Sequence, residues 1–416
     1  MVDAYPQGRL GEFACVQGGF PFKGGDFKNS GVPVLKIKNV RMRNVDTSDL
    51  QLVDEEVAKG AAHCFCKTGD LLISMTGSGP EAPNSVVGRV ARFTGSSDKY
   101  LINQRVGRFV ITQPDKLDPR YLFFVLTRED YQRSLVSIAT GSANRVNISV
   151  SQIENLKIPI PPISAQRAIT SVLGALDDKI DLNCRMNETL ETLAKSLFKS
   201  YFVDVTQSAL PKGWREARLD ELCEIGRGTS PRPIHDFMGG DIPWIEIADS
   251  TAAGGPFICE TREFVTKEGS DRSVWVHPGD LILSNSATCG VPNFVDLDGC
   301  IHDGWQHFKN LKHISKHYLF HVLKDISEHL AHIADGSVQK NLNIALVGGQ
   351  MILVPDEKKL KAFDDAVVPM FERILRNGRE SRTLAALRDA LLPKLLSGEV
   401  RVGTSKNSKM MARYEK

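Results

Sequence analysis

The chain lacks any run of about 18 apolar residues, so no membrane-spanning helix is indicated. Its opening, MVDAYPQGRL, lacks the basic-then-apolar pattern of a secretory signal, and a cytoplasmic location is expected. It lacks a strong charge of either sign: 52 basic against 50 acidic residues leave +2, which removes the simplest electrostatic argument for any partner. Its eight cysteines are scattered, and only Cys64-Phe-Cys66 is close-spaced. A lone C-x-C has no second ligand pair, so reduced thiols are expected rather than a zinc site.

Catalytic signatures are missing too. There is no G-x-x-x-x-G-K-[ST] phosphate loop, and Gly77-Ser-Gly79 lacks the third glycine of a cofactor loop. There is no [ND]-P-P-[FYW] tetrapeptide of an amino-methyltransferase, because Ile160-Pro-Pro-Ile163 is only a strand exit. The acid pairs Asp177-Asp178 and Asp364-Asp365 read as solvated helix faces, not as a nuclease cluster. His313, His317 and His321 fall at helical spacing that could chelate a metal, but they read more simply as a helix surface. No catalytic, cofactor-binding or metal-ligating residue is assigned.

What the chain does have is a copy of itself. Adding 194 to the numbers of Ile169–Phe202 maps Ile180 onto Ile374, Asn183 onto Asn377, Arg185 onto Arg379, and Thr189, Leu190, Leu193 and Leu197 onto Thr383, Leu384, Leu387 and Leu391. The repeat extends outside this stretch with shifting offsets. Pro6-Gln7-Gly8 answers Pro211-Lys212-Gly213, Gly69-Asp-Leu-Leu72 answers Gly279-Asp-Leu-Ile282, and Tyr121-Leu-Phe123 answers Tyr318-Leu-Phe320. The helices keep their length while the parts between them diverge. Two similar heads suit a partner that is itself nearly two-fold symmetric, as duplex DNA is.

Residues 1–160 read as strand-rich, with strands at 34–38, 70–75, 86–93 and 108–112, one helix over 118–134, and Leu156–Pro162 closing on proline. A helix then runs from about Ala165 to Phe202, with Ser164 as a candidate cap. Its seam residues are Ile169, Leu173, Leu176, Ile180, Asn183, Asn187, Leu190, Leu193/Ala194, Leu197 and Tyr201. Threes and fours alternate in this seam, which is a coiled-coil repeat, and it would meet Met370, Ile374, Asn377, Leu384, Leu391 and Leu395 of the second copy. Asn183 lies near the midpoint of the matched stretch, so it is expected to meet Asn377 amide to amide or through one water. Pro369 predicts a start or kink in the second helix. Residues 403–416 read as a disordered basic tail.

The positive signal for binding is in the loops. Lys36, Lys38, Asn39, Arg41 and Arg43 alternate with apolar residues, which on an extended chain would put them on one face. Arg, Lys and Asn are side chains that reach base edges and phosphates. Thr76, Ser78 and Asn84 oppose Asn285 and Thr288 of the second copy. Asn103-Gln-Arg105 opposes Asp303-Gly-Trp-Gln306, and Ser142, Asn144 and Arg145 oppose Ser337, Gln339 and Lys340. Arg227, Thr229 and Arg232 lie in a glycine-rich basic loop. Residues 1–160 carry 20 basic and 16 acidic side chains, whereas residues 207–355 carry 13 and 19, so a DNA face in the second copy must be a local patch.

The order of these motifs, twice over, resembles the specificity (S) subunit of type I restriction-modification systems, across essentially the whole chain. The carrying segments are Pro211–Trp214, the Gly-Asp-Leu motifs, the Gly-Ser loops at 141–145 and 336–340, and Pro159-Ile-Pro-Pro-Ile-Ser-Ala-Gln-Arg167 running into a long helix. Pro355-Asp-Glu-Lys358 departs from that last form. The resemblance implies an α+β fold: two mixed target-recognition domains joined by two long antiparallel, coiled-coil-like helices in a pseudo-two-fold repeat. Residues 1–162 and 206–355 would be the recognition domains, with 163–205 and 356–402 the central and distal helices. It also implies a non-catalytic reader of a bipartite site in double-stranded DNA. This reader would dock two methyltransferase (M) subunits and the restriction/translocase (R) subunits. S-adenosylmethionine, ATP and Mg would reside in those partners. Three alternatives stand at this point. One is the reader of a modification-only or phage-defence methylation complex. Another is an enzyme with a cryptic site near Gly77–Gly79. The last is a two-fold protein–protein adaptor without DNA.

Overall fold

In the computed structural model the described residues are 5–78, 87–142, 145–206, 209–334 and 341–402, with the side chains of Ser142 and Arg145 excepted. The expected tail 403–416 lies outside them, as do Asn84, Asn144, Ser337, Gln339 and Lys340. The chain forms two compact units, Met1–Asp181 with Arg382–Lys416, and Leu182–Ser381.

Unit 1 is built on a four-stranded antiparallel sheet. Its order is Ala14–Gly18, Val106–Ile111, Leu71–Ser74, Val90–Arg92. Unit 2 repeats that order with Glu224–Arg227, Trp305–Lys309, Leu281–Ser284 and Pro292–Val295, and adds Phe257–Ile258 in parallel at the edge. Each unit has a second sheet containing one parallel pair, Val32–Leu35 with Leu101–Ile102 in unit 1 and Met238–Ile245 with Gly299–Ile301 in unit 2. Apolar residues from both faces of these strands are buried, which is why Leu71–Ser74 and Leu281–Ser284 read as short continuous apolar runs.

The repeated motifs turn out to be structural. Gly69 and Gly279 have φ of 95° and 89°, a left-handed conformation that favours glycine. The next residue, Asp70 or Asp280, accepts from the backbone N–H of Lys67 or His277 at 2.8 and 2.9 Å, closing the turn that launches the central strand. Tyr121 and Tyr318 each donate a hydroxyl to a carbonyl of the strand that closes the unit, Pro159 at 3.1 Å and Leu353 at 2.9 Å. Those closing strands pair antiparallel with the opening ones: Gln7–Arg9 with Lys157–Pro159, and Arg215–Arg218 with Met351–Val354. The expected helix over 118–134 is two helices, Pro119–Leu126 and Glu129–Ile138.

The first long helix spans Ile163–Phe198, followed by a π turn. It opens one residue before Ser164, the candidate cap. Gln166 is fully buried in unit 1. It accepts from Asp118 N–H at 2.9 Å and donates to the carbonyls of Lys116 and Pro161 at 2.7 and 2.8 Å, which accounts for the glutamine of the Pro-Pro-Ile-Ser-Ala-Gln-Arg stretch. The second long helix spans Glu357–Ser397, so Pro369 neither starts nor ends it. Its N-terminus is fixed by Asp356, which accepts from Lys359 N–H at 2.9 Å and, on its other oxygen, from Trp214 Nε1 at 2.9 Å. The tryptophan of Pro211–Trp214 thus orients the cap of the departing helix.

Within unit 2 the two helices run antiparallel. Asn183 Nδ2 lies 2.9 Å from Glu380 Oε2, 3.2 Å from Ser381 Oγ and 3.4 Å from the Asn377 carbonyl oxygen. Asn377 Nδ2 donates to Asn187 Oδ1 at 2.8 Å, and Asn187 to the Ile374 carbonyl at 3.4 Å. Asn183 and Asn377 do meet and are both buried. Their amides reach backbone and neighbouring side chains, a wider network than the amide-to-amide pair expected. Shifting by 194 turns the 183–381 bond into the 187–377 bond, so the pseudo-two-fold relates these contacts.

Among the other seam residues, Ile169, Leu173 and Leu395 are buried in the core of unit 1 and Ile374 in unit 2. Leu176, Ile180, Leu190, Leu197, Tyr201, Met370, Leu384 and Leu391 are half-buried. Of the alternative pair Leu193/Ala194 the seam takes Ala194. Leu193 and its repeat mate Leu387 are 45% and 47% exposed.

Three further expectations are corrected. Asp177 is not solvated: it is 9% exposed and accepts from Arg388 at 2.7 Å in unit 1. His321 is not on a surface. It is buried and stacked on Phe198, with ring centroids 5.5 Å apart, and His317 packs edge-on to Phe371. Burial pushes both imidazoles down to about 4. Among the described residues no three His, Cys, Asp or Glu side chains are placed to hold a metal ion, and no helix is long and apolar enough to cross a membrane.

Candidate nucleic-acid interface

The loops singled out in the sequence converge, in each unit, on one end of the main sheet, and backbone hydrogen bonds hold them there. At the end of the Leu71–Ser74 strand of unit 1, Met75 N–H donates to Arg105 O at 2.9 Å, Gly88 N–H to Ser74 O at 2.7 Å, and Ile148 N–H to Met75 O at 2.9 Å. At the end of the Leu281–Ser284 strand of unit 2, Asn285 N–H donates to Gly304 O at 2.8 Å, Gly290 N–H to Ser284 O at 2.8 Å, and Leu342 N–H to Asn285 O at 2.8 Å. Ser74 and Ser284 bridge in the same way, their hydroxyls accepting from Arg89 N–H at 3.1 Å and Val291 N–H at 2.9 Å. The close approach of the outer strand is shared too. A Cβ on Gly19 would lie 2.2 Å from Ile102 O, and one on Gly228 would lie 2.1 Å from His302 O. Each unit therefore presents a rim assembled from the same backbone contacts.

The side chains on the two rims differ. In unit 1, Arg105 is exposed and has no side-chain hydrogen bond or ion pair among the described residues. Asn103 is half-buried; Thr76 is buried and donates to Asn147 Oδ1 at 2.7 Å; Ser78 is half-buried. Thr140–Ser142 pairs with Arg145–Asn147, and Val146 with Gly77, so the Gly-Ser loop arises on this rim.

The Lys36–Arg43 segment is not the extended, one-faced strand that alternation suggests. Ile37–Asn39 is a 3-10 turn. Asn39 is 2% exposed: its oxygen accepts from Lys36 N–H at 2.9 Å and its amide donates to the carbonyls of Asp46 and Asp49 at 2.9 and 3.0 Å. Both N–H groups are spent inside the loop, so Asn39 is a staple with no edge left for a base. Lys36 lies 3.9 Å from the Phe27 ring centroid, where burial and then Lys38 push its pKa down. Lys38 pairs with Asp49. Arg43 has a left-handed backbone, φ 74°, and its guanidinium turns inward, 3.3 Å from Asp389 and 4.0 Å from Asp177. Arg41 stays exposed, 3.4 Å from Asp46.

In unit 2 the same turn is built by Asp249, buried, accepting from Glu246 N–H at 2.8 Å. The glycine-rich loop is organised by Asp303. Its carboxylate accepts from Ser230 Oγ at 2.6 Å and lies 3.3 Å from Arg232, and its carbonyl accepts from Arg227 Nε at 2.7 Å and Asn285 Nδ2 at 3.0 Å. Burial alone would raise the Asp303 pKa, but Ser230, its own backbone and Arg232 hold it below the usual carboxylate range. Thr229 and Thr288 are exposed. Asn285 and Gln306 are buried and each keeps one side-chain oxygen without a partner among the described residues, so neither offers an edge at the surface.

One rim residue was missed by sequence reasoning. Arg89 is half-buried beside Ser74 and has no side-chain partner among the described residues. Burial first, and then the Arg41 charge, lower its pKa. The repeat hid it, because its structural equivalent is Val291.

A sequence profile described as "Type I restriction modification DNA specificity domain" matches residues 5–192 and 211–362. The chain is 25% identical over 302 residues to the type I restriction enzyme MjaIX specificity subunit of Methanocaldococcus jannaschii, covering 68% of each. It is 24% identical over 426 residues to the HindI specificity subunit of Haemophilus influenzae, covering 82% of this chain and 88% of that one. The crystal structure of a type I restriction-modification S subunit from M. genitalium superposes with a TM-score of 0.58 at 16% identity, covering 95% of this chain and 96% of that one, a likeness of fold.

Proposed function

The chain belongs to the type I restriction-modification DNA specificity family, and from that premise we propose that it reads a bipartite site in duplex DNA, one half-site per recognition domain, and scaffolds the subunits that act on it. Residues 1–162 and 206–355 are the readers and the two long helices the spacer. The observation that carries this reading is the pair of rims. Equivalent backbone bonds gather the variable loops at equivalent strand ends, while the side chains there differ. That is what two readers of unlike half-sites require: phosphate contacts to set register and base contacts to select sequence.

The partners follow from the same symmetry. Leu193 and Leu387 are exposed at repeat-related positions of the two helices, and one methyltransferase subunit would dock at each. S-adenosylmethionine would be held by those subunits, with the target adenine flipped into their pocket. ATP and Mg would be held by the restriction and translocase subunits. This chain's own part is to bind and orient.

Methylation mapping in a host carrying the gene with its partners tests the reading. The expected result is a two-part motif with a fixed gap. A chimera with residues 1–162 from a relative should change one part only. A change in both parts would refute the division of labour.

A further inference from the structure

The strongest unassigned feature is a pair of like charges on the rim of unit 1. The parallel bridge between Arg43 and Ala91 is secured by Arg43 N–H to Val90 O at 2.8 Å and Arg92 N–H to Arg43 O at 3.2 Å. Arg41 lies two residues before this bridge on one segment and Arg89 two residues before it on the other, near enough that the Arg41 charge acts on Arg89. Among the described residues the one carboxylate within reach of Arg41 is that of Asp46, 3.4 Å away. That carboxylate is already occupied by Ser48, whose N–H and hydroxyl donate to it at 3.0 and 2.6 Å. Arg89 has no partner at all among the described residues. Two guanidiniums present ten N–H donors and two positive charges, and among the described residues only Asp46 offers a carboxylate oxygen, to Arg41.

Half-burying an unpaired arginine beside another is unfavourable unless something anionic completes the site. We propose that Arg41 and Arg89 form a seat for one phosphodiester of the DNA backbone, beside the bases read by unit 1. This rests on the DNA-reading function proposed above. The chemistry fits because guanidinium engages phosphate oxygens in a bidentate fork. Position fits as well: Arg89 is fixed through its backbone to Ser74, at the strand end where Thr76 and the Gly-Ser loop begin.

Among the described residues unit 2 has no counterpart. Matching the Asn39 and Asp249 turns puts Thr251 where Arg41 is, and matching the Ser74 and Ser284 bridges puts Val291 where Arg89 is. Its own rim cations, Arg227 and Arg232, are tied to Asp303. The two half-sites are then held unequally, the first with a salt-sensitive anchor and the second without.

The test is binding of the full chain to a mixed-sequence duplex of about 40 base pairs, measured against salt concentration. Arg89→Gln and Arg41→Gln should each weaken binding several-fold and reduce the slope of log K against log salt by about one. Arg89→Lys should retain most of the slope. Lys361→Gln, on the exposed face of the second long helix, should leave it unchanged. Wild type and Arg89→Gln with the same slope would overturn the seat while leaving DNA reading intact. No salt-dependent binding by wild type would overturn both. Inorganic phosphate separates the sources: if it raises the melting temperature through Arg89 while the DNA slope ignores Arg89, the seat is for a free anion and the backbone assignment is wrong.

Discussion

Removing either member of the Asp177–Arg388 pair should destabilise unit 1 by about 3 kcal/mol, whereas replacing both by their repeat mates should cost little. Asp177 and Arg388 are 9% and 7% exposed, with Nη1 and Oδ1 2.7 Å apart. Removing one partner of a buried ion pair costs about 3–5 kcal/mol, because the remaining charge is left desolvated. Here the lower end applies. Asp389 binds the other edge of Arg388 at 2.9 and 3.2 Å and Arg43 at 3.3 Å, and at 56% exposed it can follow either arginine. Adding 194 to Asp177 gives Phe371 and subtracting it from Arg388 gives Ala194, both buried in the apolar core of unit 2. The double variant Asp177→Phe/Arg388→Ala therefore installs a combination already used at the equivalent place. It should lie within about 1 kcal/mol of wild type or above it, since apolar replacement of a buried pair is often neutral or stabilising. In a separate cycle of Asp177→Ala, Arg388→Ala and the alanine double variant, urea unfolding of the full chain should show a coupling of about 2 kcal/mol. Single costs below about 1 kcal/mol with no coupling would refute the claim that this pair helps hold the helix segments of unit 1.

Three further outcomes are expected. His321, held down to about 4 by burial, is neutral in the folded state while the unfolded chain takes up its proton near 6.5. Its contribution is therefore full above about pH 6.5 and is lost toward pH 4 at about 1 kcal/mol per unit, and thermal melts of His321→Phe should be less acid-sensitive than wild type. Gly19→Ala and Gly228→Ala should each lose about 1–3 kcal/mol in urea unfolding, because the added carbon would meet a backbone carbonyl at 2.2 and 2.1 Å. Asn39→Ala should cost about 1–3 kcal/mol in the same assay by orphaning the carbonyls of Asp46 and Asp49, and Asn39→Asp should not restore them, since a carboxylate cannot donate.

Much of the architecture was legible because it repeats. Gly69/Gly279, Tyr121/Tyr318 and Asn183/Asn377 recur for reasons of backbone geometry, and the structure supplies each reason. What period and spacing do not carry is the partner. Alternation in Lys36–Arg43 implied an extended face, yet one local bond, Asn39 to the Lys36 N–H, is enough to curl it into a 3-10 turn. Asp177-Asp178 looked like a solvated face because its arginine lies on the other helix, 211 residues away. Pro369 looked like a helix boundary, but the cap that starts the helix is more than three turns upstream, at Asp356, and depends on Trp214. His317 and His321 looked like surface because an acidic segment surrounds them in sequence, whereas in space Phe198, Phe363 and Phe371 do. Arg89 was hidden because the charge that acts on it, Arg41, lies 48 positions earlier.

The two rims suggest how one backbone can serve two recognition tasks. Ser74 and Ser284, Met75 and Asn285, Gly19 and Gly228 make the same contacts, main-chain ones and the two serine hydroxyls, so the strand ends are held without help from the side chains at positions 89 and 291. A side chain at such a position can change charge without a ladder bond being lost. Arg89 and Val291 show this, as both backbones bond a serine hydroxyl in the same way. Asn39 and Asp249 mark the limit of that freedom. Their oxygens accept a backbone N–H within the turn, so an acceptor is required there even though the net charge differs. Among the described residues of these rims, the side chains with no bond into the fold are those of Arg89 and Arg105 in unit 1 and Thr229 and Thr288 in unit 2, so these can vary without loss of the backbone contacts.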